Sequence, residues 1–270
     1  MNAGSAAGSR PLTDRVALVT GSTSGIGWGI ATALAEAGAD VMLNGFWSDA
    51  AGPQRGDALA ERCGVRVAHS GADVSRGAEV AGMVADTEAR FGRLDVLVNN
   101  AGIQHVAAVD ELAGEKWDAI LAINLSSNFH AIKAALPGMK NRGWGRIVNI
   151  ASVHGLVASP FKSAYVVAKH GVVGLTKAVA LELAETPLTC NAICPGFVRT
   201  ALVEAQIADL AVAHAMTPDS VVRDVVLASQ PNRSFVTVEQ IAALVIFLCS
   251  EGAASITGAA LPMDGAWTAR

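Results

Sequence analysis

The sequence has a single tyrosine in 270 residues, and aromatic side chains make up only 5% of it. Charge is scarce as well, at 16% against 51% hydrophobic residues. That balance excludes a disordered chain, which is charge-rich and apolar-poor. Basic charge is not in excess: 20 Lys and Arg stand against 24 Asp and Glu. Neither nucleic acid nor an anionic membrane is therefore an expected partner. The four cysteines, Cys63, Cys190, Cys194 and Cys249, lie far apart except for one C-x3-C pair. Zinc sites and disulfide frameworks want closer or more regular spacing, so reduced thiols, no metal and a cytoplasmic location are expected. No uninterrupted apolar run approaches the ~18 residues of a membrane span. Residues 1–10 lack the apolar stretch of a signal peptide and read as a flexible tail.

What is present is an alternation. Short β-branched or apolar runs occur at Val16–Thr20, Asp40–Leu43, Val65–His69, Leu94–Val98, Arg146–Ile150, Leu188–Ile193 and Ala260–Met263. Helical patterns fill the gaps at Gly25–Gly38, Asp49–Cys63, Gly77–Phe91, Gly114–Lys140, Ser163–Glu185 and Val238–Ser250. Sustained strand–helix alternation predicts an α/β fold: a doubly wound, Rossmann-type parallel sheet with helices on both faces. The rhythm never changes character, so residues 11–270 read as one domain. Only about 200–232 break it, as two short helices inserted late, the size of a small helical lid.

The first run leads into Thr20-Gly21-Ser22-Thr23-Ser24-Gly25-Ile26-Gly27 and then a helix. Glycines let the backbone turn sharply and approach a pyrophosphate, and the helix N-terminus offers free N–H groups. The alternative is a tight turn that packs helix on strand; the position between the first strand and a helix favours phosphate binding. The end of the second run usually reads the cofactor ribose, with an acid for NAD or a base for the 2′-phosphate of NADP. Here it is Asn44-Gly45-Phe46-Trp47, with no cation before Arg55, which favours NAD. Asp73, after the third run, suits either the adenine amino group or the N-terminus of the following helix.

Five motifs stand in order: the glycine turn, Asn99-Asn100-Ala101-Gly102, Ser152, Tyr165-x3-Lys169 and Pro195-Gly196. Together they resemble the short-chain dehydrogenase/reductase family from Arg15 to Met263. The resemblance implies a seven-stranded sheet and a homotetramer. It also implies cofactor contacts from Gly21, Thr23, Ser24, Gly25, Ile26, Gly27, Phe46, Asp73, Val74, Asn100, Ala101, Gly102, Tyr165, Lys169, Pro195, Gly196, Val198 and Thr200. Ser152 then orients the substrate oxygen, Tyr165 exchanges the proton, Lys169 holds the nicotinamide ribose, and Asn124 kinks its helix and holds a water. The residues themselves support this chemistry. A phenol of pKa near ~10 is a poor base at neutral pH. Lys169, four residues on and on the same helical face, should lower that pKa.

The segments Gly102–His105, Ser152–Gly155, Ser159–Tyr165 and Leu202–Ile207 resemble the bacterial D-3-hydroxybutyrate dehydrogenases within that family. The resemblance implies that Gln104, His154, Lys162 and Gln206 hold the carboxylate of a small hydroxy or oxo acid, with Trp267 closing the pocket. A four-carbon acid offers little apolar surface, so its charge must supply the handle. Phe197 stands where that group often has a larger aromatic, and Ala201 replaces a common proline. The rival readings are a 3-oxoacyl thioester reductase, which wants NADPH and an open mouth, a polyol dehydrogenase, and a nucleotide-binding module without catalysis. The last would show a degenerate Ser-Tyr-Lys set, and here the set is whole.

Overall fold

A computed structural model describes residues 10–269 other than 48, 50, 201, 202, 205, 206, 208–210 and 213–215. The apolar runs form β1 (Val16–Val19), β2 (Asp40–Asn44), β3 (Val67–Ser70), β4 (Val96–Asn99), β5 (Gly145–Ile150), β6 (Leu188–Pro195) and β7 (Ala260–Met263). All pair in parallel, in the order β3-β2-β1-β4-β5-β6-β7. Every residue of β1, β4, β5 and β6 is buried, as expected of strands covered on both faces. Alternate residues serve opposite layers: Ala17, Val19, Val96 and Val98 pack in one core, Val16, Leu18 and Leu97 in the other. The order reverses between β1 and β4, and an open sheet of this kind offers its ligand crevice at that reversal.

The covering helices are α1 (Gly25–Glu36), α2 (Gly52–Cys63), α3 (Gly77–Phe91), α4 (Gly114–Leu121), α5 (Ser127–Arg142), α6 (Ser163–Glu182) and α7 (Val238–Cys249). The sequence pattern agrees with α3 and β7 at both ends. It differs where tertiary contacts intervene. The expected helix Gly114–Lys140 is broken by a π-helical turn at Ala122–Ser126, centred on Asn124. The second helix begins at Gly52 rather than Asp49, with Pro53 in its first turn, where a missing N–H costs nothing. Helix α6 is apolar and long enough to cross a membrane by composition. It lies instead along the sheet, burying Ala168, Lys169, Val172 and Val173.

In the 200–232 segment, residues 203–204, 207 and 211–212 are helical, and a second helical stretch runs from Pro218 to Val226. Gln206 and Ala201 lie outside the described residues.

Candidate active site

The turn after β1 is built on close approaches that only glycine allows. Gly21 has φ +61°, and a Cβ there would lie 2.8 Å from Ala101 Cα. A Cβ on Gly27 would lie 2.3 Å from the Gly21 carbonyl oxygen. Above Gly25 there is open space, with nothing within 4 Å of a Cβ. Helix α1 starts at that opening with no side-chain cap from Ser24 and no acid in its first turn. Its first N–H groups, which no intrahelical carbonyl can satisfy, therefore have no side-chain partner at the open space above Gly25. This suits the phosphates of a dinucleotide.

Hydrogen bonds fix the turn to the neighbouring strands. Thr20 Oγ1 accepts from the N–H groups of Asn100 (2.9 Å) and Ala101 (3.1 Å), and Asn100 Nδ2 donates to the carbonyls of Thr20 and Gly21. Ser22 Oγ donates to the Val19 carbonyl and accepts from Asn44 N–H. The Asn44 amide donates to the carbonyls of Ser70 and Ala72 and accepts from Gly21 N–H. Thr23 Oγ1 donates to the Phe46 carbonyl. Thr20, Ser22 and Asn44 were not among the expected site residues; their side chains act across the sheet, at separations no local pattern reports.

Beyond β2, Phe46 is exposed and Trp47 stacks on His69, ring centroids 5.1 Å apart. Arg55, the first cation after the strand, is paired with Asp49 at 3.2 Å and lies over the Trp47 ring. The Asp73 carboxylate accepts from Ser75 N–H and pairs with Arg76. Hydrogen bonds from Ser75, with Arg76 nearby, hold its pKa below the usual carboxylate value. Asp73 thus sits in the turn before α3, whose N-cap is Arg76 and whose first-turn acid is Glu79. Val74 packs against the core below.

The catalytic candidates converge at the C-terminal ends of β4 and β5. Ser152 follows β5, and Tyr165 and Lys169 project from α6. The Ser152 side chain faces Tyr165 and lowers the pKa of its hydroxyl. Lys169 Nζ donates to the Ile150 carbonyl at 2.7 Å and lies 5.6 Å from the Tyr165 ring centroid. Asn124, fully buried in the π-helical turn, exchanges two 2.8 Å hydrogen bonds with the Ile103 backbone. A Cβ on Gly102 would sit 3.6 Å from Asn124 Oδ1 and 3.8 Å from Lys169 Nζ, so the Asn-Asn-Ala-Gly loop closes over both.

The electrostatics differ from expectation in one respect. Burial raises the Tyr165 pKa above its ordinary value, partly offset by Ser152, where a lowering by Lys169 was expected. The reason is mutual burial: Lys169 is itself desolvated and pushed down to about 8. Spacing shows which groups share a helix face, but not how much water they lose.

Around this centre lie the substrate candidates. Lys162 is half-buried at the N-cap of α6, its Nζ 5.9 Å from the Phe197 ring centroid, and burial lowers its pKa. Phe197 stacks on Trp267 (5.6 Å, 20°), and Trp267 meets His154 edge-on at 5.5 Å. Asp264 holds the turn that carries Trp267 by accepting from Ala266 N–H and from the N–H and hydroxyl of Thr268. Gln230, fully buried, accepts from Phe197 N–H and abuts Gly196 beside Pro195. Val198 bridges to Val236, and Thr200 Oγ1 accepts from Val203 N–H. Gln104 is exposed on the loop after β4. That loop is tied to the Lys162 loop by a bond from Ala107 N–H to the Phe161 carbonyl.

His154 is buried, with Nε2 2.8 Å from Ser159 Oγ and Nδ1 3.5 Å from Ser152 Oγ. Burial, then the charges of Lys162 and His170, push its pKa down from 6.5 to about 4. As pH falls from 6.5 to about 4, the unfolded chain takes up a proton that folded His154 refuses, so stability is lost across that window. Thermal midpoints should therefore fall more steeply over this range for the wild type than for His154→Asn. Parallel curves would show that His154 is not buried neutral.

A family profile described as enoyl-(acyl carrier protein) reductase matches residues 21–268. A D-beta-hydroxybutyrate dehydrogenase of Rhizobium meliloti is 52% identical over 256 residues, 95% of this chain and 99% of that one. One from Cupriavidus necator is 52% identical over 259 residues, 96% of this chain and 100% of that one. The crystal structure of a putative short-chain alcohol dehydrogenase from Sinorhizobium meliloti superimposes with a TM-score of 0.83 at 34% identity, covering 97% of this chain and 99% of that one.

Proposed function

This chain belongs to the short-chain dehydrogenase/reductase family and is an oxidoreductase; from that premise we propose that it interconverts D-3-hydroxybutyrate and acetoacetate, with NAD as its cofactor. The observation that carries the substrate reading is Lys162, a half-buried cation on the rim of the Phe197–Trp267–His154 aromatic floor, whose His154 contacts both Ser152 and Tyr165. A carboxylate bound there meets a charge at one end while its 3-oxygen reaches the Ser–Tyr pair. Gln104 and Gln206 add amide donors to the carboxylate end, and His154 forms the floor between the two ends.

Bound NAD supplies the hydride acceptor for oxidation. Its phosphates suit the uncapped N-terminus of α1 with Gly21, Thr23, Ser24, Gly25, Ile26 and Gly27, and its adenosine the crevice edged by Phe46, Asp73 and Val74. The nicotinamide end suits Asn100, Ala101, Gly102, Pro195, Gly196, Val198 and Thr200. Ser152 donates a hydrogen bond to the substrate oxygen and Tyr165 Oη takes the alcohol proton. Lys169 Nζ binds the ribose hydroxyls and Asn124 holds a relay water. Residues 11–270 then act as one catalytic domain with a lid near 200–232, in a cytoplasmic homotetramer. The apolar groove between α5 and α6, lined by Phe129, Leu136 and Leu175, suits a subunit contact.

The test is an absorbance assay of D- and L-3-hydroxybutyrate with NAD and NADP separately. Only the D isomer should turn over well. NAD should be preferred by at least about tenfold in kcat/KM, because Arg55, engaged by Asp49 and Trp47, is the first cation available to a 2′-phosphate. Equal or better kcat/KM with NADP overturns the cofactor reading and favours the thioester-reductase alternative.

A further inference from the structure

Ser159 stands outside every group so far assigned a role, yet it makes the shortest polar contact to the active-site imidazole. Its Oγ is 2.8 Å from His154 Nε2. The other ring nitrogen, Nδ1, faces Ser152 Oγ at 3.5 Å, and the His154 backbone N–H donates to that same oxygen at 3.1 Å. Ser152 in turn faces Tyr165, whose pKa it lowers, and the Tyr165 ring meets the imidazole edge-on at 6.0 Å. Four side chains thus form one line: Ser159, His154, Ser152, Tyr165.

The geometry is held rigidly. Val153–Gly155 is a 3-10 turn, and a Cβ on Gly155 would lie 2.8 Å from the Lys169 carbonyl oxygen, so the turn is pressed onto α6. Trp267 and Tyr165 meet the imidazole edge-on, at 5.5 and 6.0 Å. Among the described residues, the charged or titratable groups facing the ring are Lys162, His170 and Tyr165. Burial first, and then the charge of Lys162, keep the imidazole neutral at working pH.

A neutral imidazole has one donor and one acceptor, so two tautomers are open to it. With the proton on Nε2, the ring donates to Ser159, and Nδ1 becomes an acceptor that draws the Ser152 hydroxyl proton toward itself. With the proton on Nδ1, the ring donates to Ser152 Oγ, whose own proton is then free to point at Tyr165 or the substrate oxygen. A Ser159 hydroxyl that donates to Nε2 selects the second state. We propose that Ser159 is a positioning residue that fixes the Nδ1–H tautomer of His154, so that Ser152 presents its proton to the reacting oxygen. The ordered donors Ser159 to His154 to Ser152 also polarise one another, strengthening the last bond of the chain. The 3.5 Å gap is of the kind that tightens when substrate draws Ser152 into line. His154 thereby acts mainly on the oxygen end, leaving Lys162 to anchor the carboxylate.

The kinetic half of this proposal rests on the 3-hydroxybutyrate reading, and the tautomer half does not. In ligand-free wild type, ¹⁵N NMR of the His154 ring should show the proton on Nδ1, and Ser159→Ala should shift the population toward Nε2–H. With D-3-hydroxybutyrate and NAD, Ser159→Ala should lower kcat about five- to twentyfold, a fraction of the roughly hundred- to thousandfold that losing such a donor outright costs. Its KM should move less than about twofold, because an interaction realised only in the transition state is lost from kcat. Ser159→Thr, which keeps the hydroxyl, should show wild-type tautomer and near wild-type kcat, and it still decides the matter if the alanine variant does not fold. An Nε2–H ring in the wild type, an unchanged kcat in Ser159→Ala, or a loss confined to KM would each overturn the relay. If the wild type fails to oxidise D-3-hydroxybutyrate, the substrate reading falls, while the ring tautomer still tests Ser159.

Discussion

Tyr165→Phe should lower turnover by roughly 10²–10⁴-fold while NADH binding, followed by quenching of tryptophan fluorescence, stays close to wild type. The change removes one oxygen from a partly buried ring whose edge contact with His154 remains. The chain has no other tyrosine to substitute. The pH profile adds a signed test. Oxidation requires Tyr165 to accept the alcohol proton, and its pKa is raised by burial. The proton-free form is therefore sparse at neutral pH, and kcat/KM for oxidation should climb as pH rises. Reduction requires the protonated form and should fall over the same range. Lys169, held at about 8, remains an ammonium below that pH and favours the phenolate there. Residual activity in Tyr165→Phe should lose this dependence. Near-normal turnover would mean that another group carries the proton.

What the sequence disclosed depended on whether the cause was local. The parallel sheet was legible because buried strands read as unbroken apolar runs, and α3 and β7 because glycine or turn signals bracket them. The break at Ala122–Ser126 was not, because its cause is a pair of hydrogen bonds from Asn124 to Ile103, on a loop 21 residues away. The same division holds at the site. Tyr165 and Lys169 lie one helical turn apart, and the glycine turn sits directly after a strand, so chemistry and position coincide in the pattern. Gln230 supports Phe197 from 33 residues away, and Thr20 grips Asn100 from 80. Ser159 looked like an ordinary loop residue before proline, and only the fold of the turn after β5 brings it under His154. The direction of the Tyr165 shift was unreadable for a related reason: periodicity places two groups on one face without reporting their desolvation.

Lys162→Ala should raise KM for D-3-hydroxybutyrate by tens-fold or more, and the effect should depend on the charge of the substrate. A carboxylate entering this pocket gives up water and must be repaid by a cation or several donors. His154, with its pKa near 4, is neutral at working pH and adds no charge. Lys162 therefore carries the cationic half of the interaction, on a half-buried rim where burial already lowers its own pKa. Bound carboxylate should restore that pKa toward its ordinary value, because the opposite charge favours the ammonium. Losing one partner of a desolvated charge pair typically costs ~2–5 kcal/mol, and much of that is the penalty of stranding the other charge. An uncharged analogue has no such charge to strand. The methyl ester of D-3-hydroxybutyrate should thus lose far less than the acid on going from wild type to Lys162→Ala. The comparison of enzyme variant against substrate charge isolates the electrostatic contribution from any change in packing over Phe197. Lys162→Met, which keeps an apolar stem over that ring without the charge, should behave like the alanine variant toward the acid. The coupling belongs mainly in kcat/KM, with some loss in kcat if the carboxylate also aligns C3 for transfer. Equal impairment of acid and ester would make Lys162 a structural cap for α6 or a modulator of Tyr165. No impairment of either would move the carboxylate away from this rim, and the assignment of a hydroxy acid would then have to stand on the likeness to the two dehydrogenases without support from the pocket.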